Sequence, residues 1–254
     1  MSFKFIKFTV LIFVFFACRD PKVIPNISSQ RIPVEKSIKP KPSIENLIKT
    51  YKLHIEKSMN EVLCYSINAH SKKEGSLNTA IGNMMADAVF ELSAPLLKKR
   101  YGLDLDVVLL NHGGIRASLP KGPIRIRTAY NIMPFENEIV VSQMKGSVVM
   151  DLVNYLRTAK RAHPISGMTL KITKSGELGL LKIQNKPLDL EKTYNIATSD
   201  YLHNGGDYMN FFKKNDSVFR LDYKIRNILI DYFVSQDTLK PKADMRFTYT
   251  KNDE

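Results

Sequence analysis

The chain has 254 residues, 44% of them hydrophobic and 25% charged, with a formal net charge of +13 and two cysteines. That is apolar material for one substantial core, so a single globular domain is expected after the terminal segments are set aside. Lysine and arginine form no concentrated stripe with interleaved aromatics, which argues against nucleic acid as a partner.

Residues 1–17 read as an export signal. Lys4 and Lys7 make a short basic start, Phe8 to Phe16 is an apolar run too short to span a bilayer, and Ala17-Cys18 closes it with a small residue before a cysteine. Phe15-Phe16-Ala17-Cys18 resembles a bacterial lipobox with phenylalanine in place of the usual leucine. Cleavage before Cys18 and lipidation of its thiol are the expectation, the alternatives being a soluble-secretion signal or an N-terminal anchor. Two or more acyl chains anchor a protein stably, which places the chain in a bacterial cell envelope, facing the periplasm or the exterior. With Cys18 acylated, Cys64 has no partner within the chain, so no internal disulfide framework is expected. Cys64 itself reads as a small buried hydrophobe in a strand.

Residues 18–42 hold the cysteine and a tether. Five of the 12 prolines fall here, and six lysines and arginines face two acids, with no helical or strand period. The basic excess favours an anionic membrane surface. Residues 43–254 form the domain and keep a moderate +7, suited to anionic ligands or to solubility.

In chain order, Ile44–Met59 has helical spacing and Glu61–Ile67 looks extended. Thr79–Arg100 reads as a long helix capped by Asn78 or Thr79, with Pro95 expected to end or kink it. Asp104 and Asp106 read as solvated turn residues before the buried strand Val107–Leu110. Ile139–Met144 is a strand and Val148–Lys160 a helix. Met168–Thr173 and Leu178–Gln184 flank Ser175-Gly176 as a hairpin, and Tyr194–Thr198 is a further strand. Asp222–Val234 reads as a helix and Met245–Thr250 as a last strand. Alternating elements with hairpins indicate an α+β protein with mixed sheets.

Three blocks interrupt this pattern: Asn111-His112-Gly113-Gly114-Ile115-Arg116, Met133-Pro134-Phe135-Glu136-Asn137 and His203-Asn204-Gly205-Gly206-Asp207-Tyr208. Each sets polar or aromatic groups beside glycine or proline, where the backbone turns tightly and approaches a ligand closely. Arg116 offers a planar fork of donors to a carboxylate, phosphate or carbonyl. Phe135 and Tyr201 can stack on a flat ring, Asn111 and Asn137 match a heterocycle edge, and Asp207 can accept two hydroxyls of a ribose diol. Singly, each has a structural explanation; together they are what a nucleoside needs.

At these residues the chain resembles the C-terminal, substrate-binding domain of the 5'-nucleotidase and UDP-sugar hydrolase family. The resemblance runs from about Ile44 to Thr250. In the same order it takes in a connecting helix, Ile81-Gly82-Asn83-Met84-Met85-Ala86-Asp87-Ala88, the Asn111 block, Pro134-Phe135-Glu136-Asn137, Ser166-Gly167 and Asn204-Gly205-Gly206-Asp207. It implies a layered α/β/β/α domain in which Phe135 and Tyr201 sandwich the base and Arg116 contacts the phosphate or sugar side. It further implies that Asn111 and Asn137 approach the base or sugar, Asp207 binds the ribose and Gly167 lies near the base. Tyr201 stands where the family usually has phenylalanine, and His112 where a small residue is common. The family's further arginines before the Gly82-Asn83 helix are missing from Glu74–Asn78, with Lys72 and Lys73 nearby, which implies weaker phosphate affinity.

Family catalysis belongs to a metallophosphatase domain holding two divalent metals with clustered Asp, His and Asn. His54, His70, His112, His163 and His203 are scattered here, without Asp-x-His or Gly-Asn-His motifs, so no metal and no catalytic residue is expected in this chain. Nucleophile-elbow, Walker and dinucleotide fingerprints are also missing. The expectation is the recognition half of a split 5'-nucleotidase-type phosphohydrolase, with nucleotide or nucleoside as ligand and a separately encoded metallophosphatase as partner; the alternative is a non-catalytic nucleotide-binding lipoprotein.

Overall fold

The computed structural model describes residues 28–250; the expected signal, Cys18 and the first part of the tether lie outside them. The chain divides into two units, 1–48 and 49–254. Residues 28–41 are exposed and contain no helix or strand, only a turn in which Ile38 N–H donates to Glu35 O at 3.1 Å. Helix α1 (Pro42–Met59) starts with proline at its first position, where no N–H is needed, and buries no residue along its length. Among the described residues no helix is long and apolar enough to cross a membrane.

The second unit is built from β1 (Val62–Ser66), α2 (Ala80–Tyr101), β2 (Val107–Leu109), β3 (Gly122–Arg125), α3 (Ile126–Ile132), β4 (Glu138–Lys145) and α4 (Gly146–Ala159). Then follow β5 (Ile165–Ser166), β6 (Met168–Ile172), β7 (Leu178–Ile183), β8 (Lys186–Pro187), β9 (Thr193–Ser199), α5 (Asp200–His203), β10 (Ser217–Lys224), α6 (Ile225–Val234), β11 (Thr238–Leu239) and β12 (Phe247–Tyr249). Among the described residues they form a sheet of order β10-β4-β9-β2-β5, a four-stranded one of order β12-β6-β7-β8 and a three-stranded one of order β11-β1-β3. Each contains parallel and antiparallel neighbours. The expected α+β class with mixed sheets is what the chain adopts.

Strand alternation divides the core into two parts. Successive side chains point to opposite faces of a strand, and in the central sheet Val108, Leu110, Val141 and Ala197 join one cluster while Val107, Leu109, Met144 and Ile196 join the other. The first cluster is closed by the apolar stripes of α2 and α6, through Ile81, Met85, Val89, Ile228, Leu229 and Phe233. The second is closed by α4 (Val149, Leu152, Val153, Leu156), by β6 and by Phe212 and Phe247. Cys64 lies in the first cluster, and burial pushes its thiol up to about 11.

Thr79, not Asn78, caps α2: its hydroxyl accepts from Gly82 N–H at 3.2 Å. Asn78 instead donates to Phe247 O (2.7 Å), tying the cap to β12. The helix runs through Pro95 to Tyr101 and ends on Gly102, φ +72°, whose N–H returns to Lys98 O. Proline removes one backbone hydrogen bond, and the fully buried Leu97 beyond it holds the last turns on the core.

Two expectations fail. Asp106 is no solvated turn residue: its side chain is only 14% exposed, accepts from Asn195 N–H at 2.9 Å and pairs with Lys192, fastening β9 to the start of β2. The helix expected from Asp222 begins only at Ile225, because Ser217–Lys224 pairs antiparallel with β4 as an edge strand. A register shift between Arg220 and Lys224, with Asp222 at φ +49°, breaks the alternation by which that strand is recognised.

Arg246 ties the C-terminal segment to this frame. Its guanidinium makes a bidentate pair with Asp87 of α2 (2.7 and 2.9 Å), donates to Ile165 O in β5 (2.8 Å) and bonds Asp244. With its side chain 17% exposed, removing it strands a half-buried carboxylate and a strand carbonyl. Arg246→Ala is therefore expected to lower the unfolding free energy by about 2 kcal/mol in urea titrations with an unchanged m-value; a loss below about 0.5 kcal/mol would show that water replaces the network.

Candidate functional site

Strand polarity gathers the three sequence blocks. β2 and β9 run parallel, with Val107 beside Ile196 and Val108 beside Ala197, so their C-terminal ends share one edge of the sheet. β4 runs antiparallel to β9, Ile139 beside Ser199, so its N-terminal end lies at that same edge. The Asn111 block follows β2, Phe135–Asn137 precede β4, and Tyr201 to Tyr208 follow β9. They enclose an open cleft of about 340 Å³ lined by Asn111, Gly113, Gly114, Arg116, Phe135, Asn137, Tyr201 and Asp207, within the range of small-ligand sites.

After the fully buried β2, His112–Gly114 form one short 3-10 turn, with Gly114 N–H donating to Asn111 O at 3.1 Å. A Cβ at residue 114 would lie 2.7 Å from Asn111 Oδ1, so glycine is required for the asparagine side chain to fold back over the turn. Asn111 Nδ2 then donates to Asp207 Oδ2 at 2.7 Å, joining the first block to the third. Arg116 is anchored through its backbone N–H to Ile132 O (2.8 Å), and its exposed guanidinium lies 5.7 Å from the Phe135 ring centroid. Among the described residues it makes no ion pair, which leaves its fork available to an anion. Lys72 adds positive charge at this side: its ammonium donates to Ile115 O at 2.6 Å, and burial, then Arg116, Arg161 and Lys73, lower its pKa.

The Phe135 loop is held by a residue almost a hundred positions away. Arg226, at the start of α6 and 5% exposed, donates to Pro134 O (3.2 Å) and Phe135 O (3.5 Å), pairs with Glu136 and lies 4.1 Å from the Tyr130 ring centroid. Hydrogen bonds from Arg226 and Lys224 hold the exposed Glu136 carboxyl down to about 2. Asn137 O accepts from Ile225 N–H at 3.0 Å. Asp200 links this loop to the third block, because Oδ1 accepts from Glu138 N–H (3.2 Å) and from Tyr201 N–H (2.8 Å).

In the third block, Ser199 caps α5 by accepting from Leu202 N–H. Gly205 turns the chain at φ +92°, and Asp207 and Tyr208 follow in left-handed conformations, φ +51° and +63°. The Tyr201 hydroxyl donates to Asp207 Oδ1 at 3.0 Å and receives Asp207 N–H at 3.3 Å; the bond to Asp207 raises its pKa. Tyr155 OH donates to Asp207 O at 3.0 Å. Ala162 O accepts only, so the His112 Nδ1 at 3.2 Å carries a proton, while His163 Nδ1 accepts His112 N–H at 3.3 Å. Burial foremost, then His112, pushes His163 down to about 4; burial also lowers His112 and His203.

Six of the seven residues expected to bind substrate therefore line one cleft. Gly167 does not. β5 runs antiparallel to β2, pairing Leu109 with Ile165 and Val108 with Ser166, so the next residue is carried to the opposite end of β2. There Gly167, φ +77°, packs against Asp106 O and lines a separate depression with Gln184 and Arg246. His203 also turns away, its Nδ1 2.9 Å from Ser142 Oγ. Arg226, Tyr155, His163 and Asp200 escape the sequence reading. Of these only Arg226 leaves a trace, as a cation on the helical stripe of Leu229 and Phe233. Among the described residues no three His, Cys, Asp or Glu side chains group to hold a metal ion.

The model of the family described as 5'-nucleotidase, C-terminal domain, matches residues 56–214. The chain is 26% identical over 212 residues to the apyrase of Tabanus yao, covering 75% of this chain and 38% of that protein. It is 34% identical over 108 residues to protein UshA of Escherichia coli, covering 40% of this chain and 19% of UshA. The chain thus spans well under half the length of these relatives. Among solved structures, a 5'-nucleotidase precursor from Thermus thermophilus superposes with a TM-score of 0.68 at 23% identity, over 82% of this chain and 43% of that one, which establishes the fold.

The buried His163 makes stability pH-dependent. An unfolded histidine titrates near 6.5, whereas His163 stays neutral in the folded chain down to about 4. Its contribution is full above pH 6.5 and lost as pH falls towards 4, because the unfolded chain takes the proton first. His163→Gln, which keeps an acceptor for His112 N–H, is expected to flatten the decline between those pH values by about 3 kcal/mol in urea unfolding. An undiminished decline in the variant would assign the titration to other groups.

Proposed function

Because the chain belongs to the 5'-nucleotidase C-terminal domain family, we propose that it is the nucleotide-recognition half of a 5'-nucleotidase-type phosphohydrolase, with catalysis supplied by a separate metallophosphatase chain. The observation that carries this reading is the single cleft in which two aromatic rings, two carboxamides, a guanidinium and a carboxylate meet. Phe135 and Tyr201, each nearly half exposed there, stack on the base. Asn111 and Asn137 address the base or sugar edge, Asp207 accepts the ribose hydroxyls and Arg116 meets the phosphate, with Lys72 adding long-range attraction. Holding base and ribose fixes where the phosphate lies, and that orientation lowers the barrier for displacement on another chain. The described side chains offer no metal-binding set; in this reading the divalent metals belong to the partner and no step passes through a metal here. Lipidation at Cys18 holds the chain at the envelope membrane, where extracytoplasmic nucleotides are salvaged.

Calorimetric titration of the full chain with AMP and adenosine should show binding. Phe135→Ala and Asp207→Ala should each weaken it by about tenfold or more, the loss of one stacking contact or of the carboxylate acceptor. Adding a metallophosphatase chain from the same genome should then raise AMP hydrolysis. Binding without any gain in hydrolysis from any such partner would reject the split enzyme in favour of a non-catalytic binding protein, and no binding at millimolar ligand would reject both.

A further inference from the structure

The third block stores strain at the residue assigned to the ribose. Asp207 and Tyr208 are consecutive non-glycine residues in the left-handed region, a backbone conformation that side chains with a Cβ adopt at a cost. Such a pair persists only when its surroundings over-determine it. Here the determinants are two phenols. The Tyr201 hydroxyl grips one residue twice, receiving Asp207 N–H at 3.3 Å and donating to Asp207 Oδ1 at 3.0 Å. Tyr155 OH completes the hold by donating to Asp207 O at 3.0 Å. The Tyr201 ring also packs on the backbone just before Asp207, since a Cβ at residue 206 would lie 2.4 Å from it.

A carboxylate has about four lone-pair sites. Tyr201 uses one on Oδ1 and Asn111 Nδ2 uses one on Oδ2, at 2.7 Å. One site on each oxygen remains, which matches the two donors of a vicinal diol. The side chain is therefore pinned from both oxygens before a ligand arrives, and it loses little rotational freedom on binding. A phenylalanine at residue 201 would keep the ring for stacking and lose both hydrogen bonds.

We propose that the Tyr201 hydroxyl is a positioning group for Asp207 and sets the preference of the cleft for ribonucleosides over sugars lacking the 2',3'-diol. The inference rests on the nucleoside reading above. It separates two functions of one side chain: the ring serves the base, and the hydroxyl serves the sugar through Asp207.

The test compares adenosine with 2',3'-dideoxyadenosine by calorimetry on the full chain, for the wild type, Tyr201→Phe, Asp207→Ala and the double variant. The wild type should bind adenosine more tightly. Tyr201→Phe should weaken adenosine about tenfold while changing dideoxyadenosine less than about twofold, so that the diol preference collapses. In the Asp207→Ala background the same change should alter neither ligand further, because the hydroxyl then has no carboxylate to position. Equal weakening of both ligands by Tyr201→Phe would reduce the hydroxyl to general structural support and overturn the proposal. So would tighter adenosine binding, which would mean that the phenol occupies a site the diol must vacate. A wild type that binds neither ligand overturns the nucleoside reading itself, whereas a wild type that binds both with a Tyr201→Phe ratio unchanged overturns only the role of the hydroxyl.

Discussion

The polarity of three neighbouring strands is the constraint on which the cleft depends. A parallel β2/β9 pair and an antiparallel β4/β9 pair put two strand exits and one strand entry at a single edge. Loops separated by up to ninety-six residues, as Asn111 is from Asp207, then come within hydrogen-bonding reach. The register is in turn enforced by burial on both faces: a one-residue slip of β2 would exchange Val107 and Leu109 with Val108 and Leu110 between two separately packed cores. Thr198 Oγ1, fully buried, locks the same register by donating to Leu109 O at 2.8 Å. The loops line the cleft, and the sheet fixes their separation.

Among the described residues, the site's polar groups leave one charge without an ion-pair partner and restrain the other. Asp207 is bonded by Tyr201 and Asn111 on its two oxygens and held at its carbonyl by Tyr155. Arg116 has a ring beside it and a distant carbonyl and, among the described residues, no carboxylate. Glu136, the acid nearest to Phe135 in the chain, is drawn off by Arg226 and Lys224.

Much of this was legible in the sequence because it is written in residues with special backbone or bonding properties. Gly113, Gly114, Pro134, Gly205 and Gly206 mark turns, and Asn111, Arg116, Phe135, Asn137 and Asp207 close to them line the cleft. Gly167 shows the limit of that logic: its glycine is required by φ +77° and by contact with Asp106 O, a demand of the turn between β5 and β6 and not of the cleft. Asp106 misleads in the opposite direction, because its partner Asn195 is brought beside it only by sheet pairing. Ser217–Lys224 hides as a strand because a bulge breaks its period of two. His163 and Tyr155 lie in stretches whose local pattern says only loop or helix; their importance comes from what packs over them.

Arg226 gives the domain a particular order of construction. The backbone of the Phe135 loop is fastened by a side chain that enters some ninety residues later, on the helix that also closes the first core cluster. A chain emerging from a ribosome completes β4 and even β9 before that cation exists, so the carbonyls of Pro134 and Phe135 lack these bonds until α6 docks. Contacts this distant in sequence must wait for the entropy of loop closure to be met by the rest of the fold. On the proposed reading, ligand recognition is thus expected late in folding, when the core is closed, so that a partly folded chain presents no competent imitation of the finished surface.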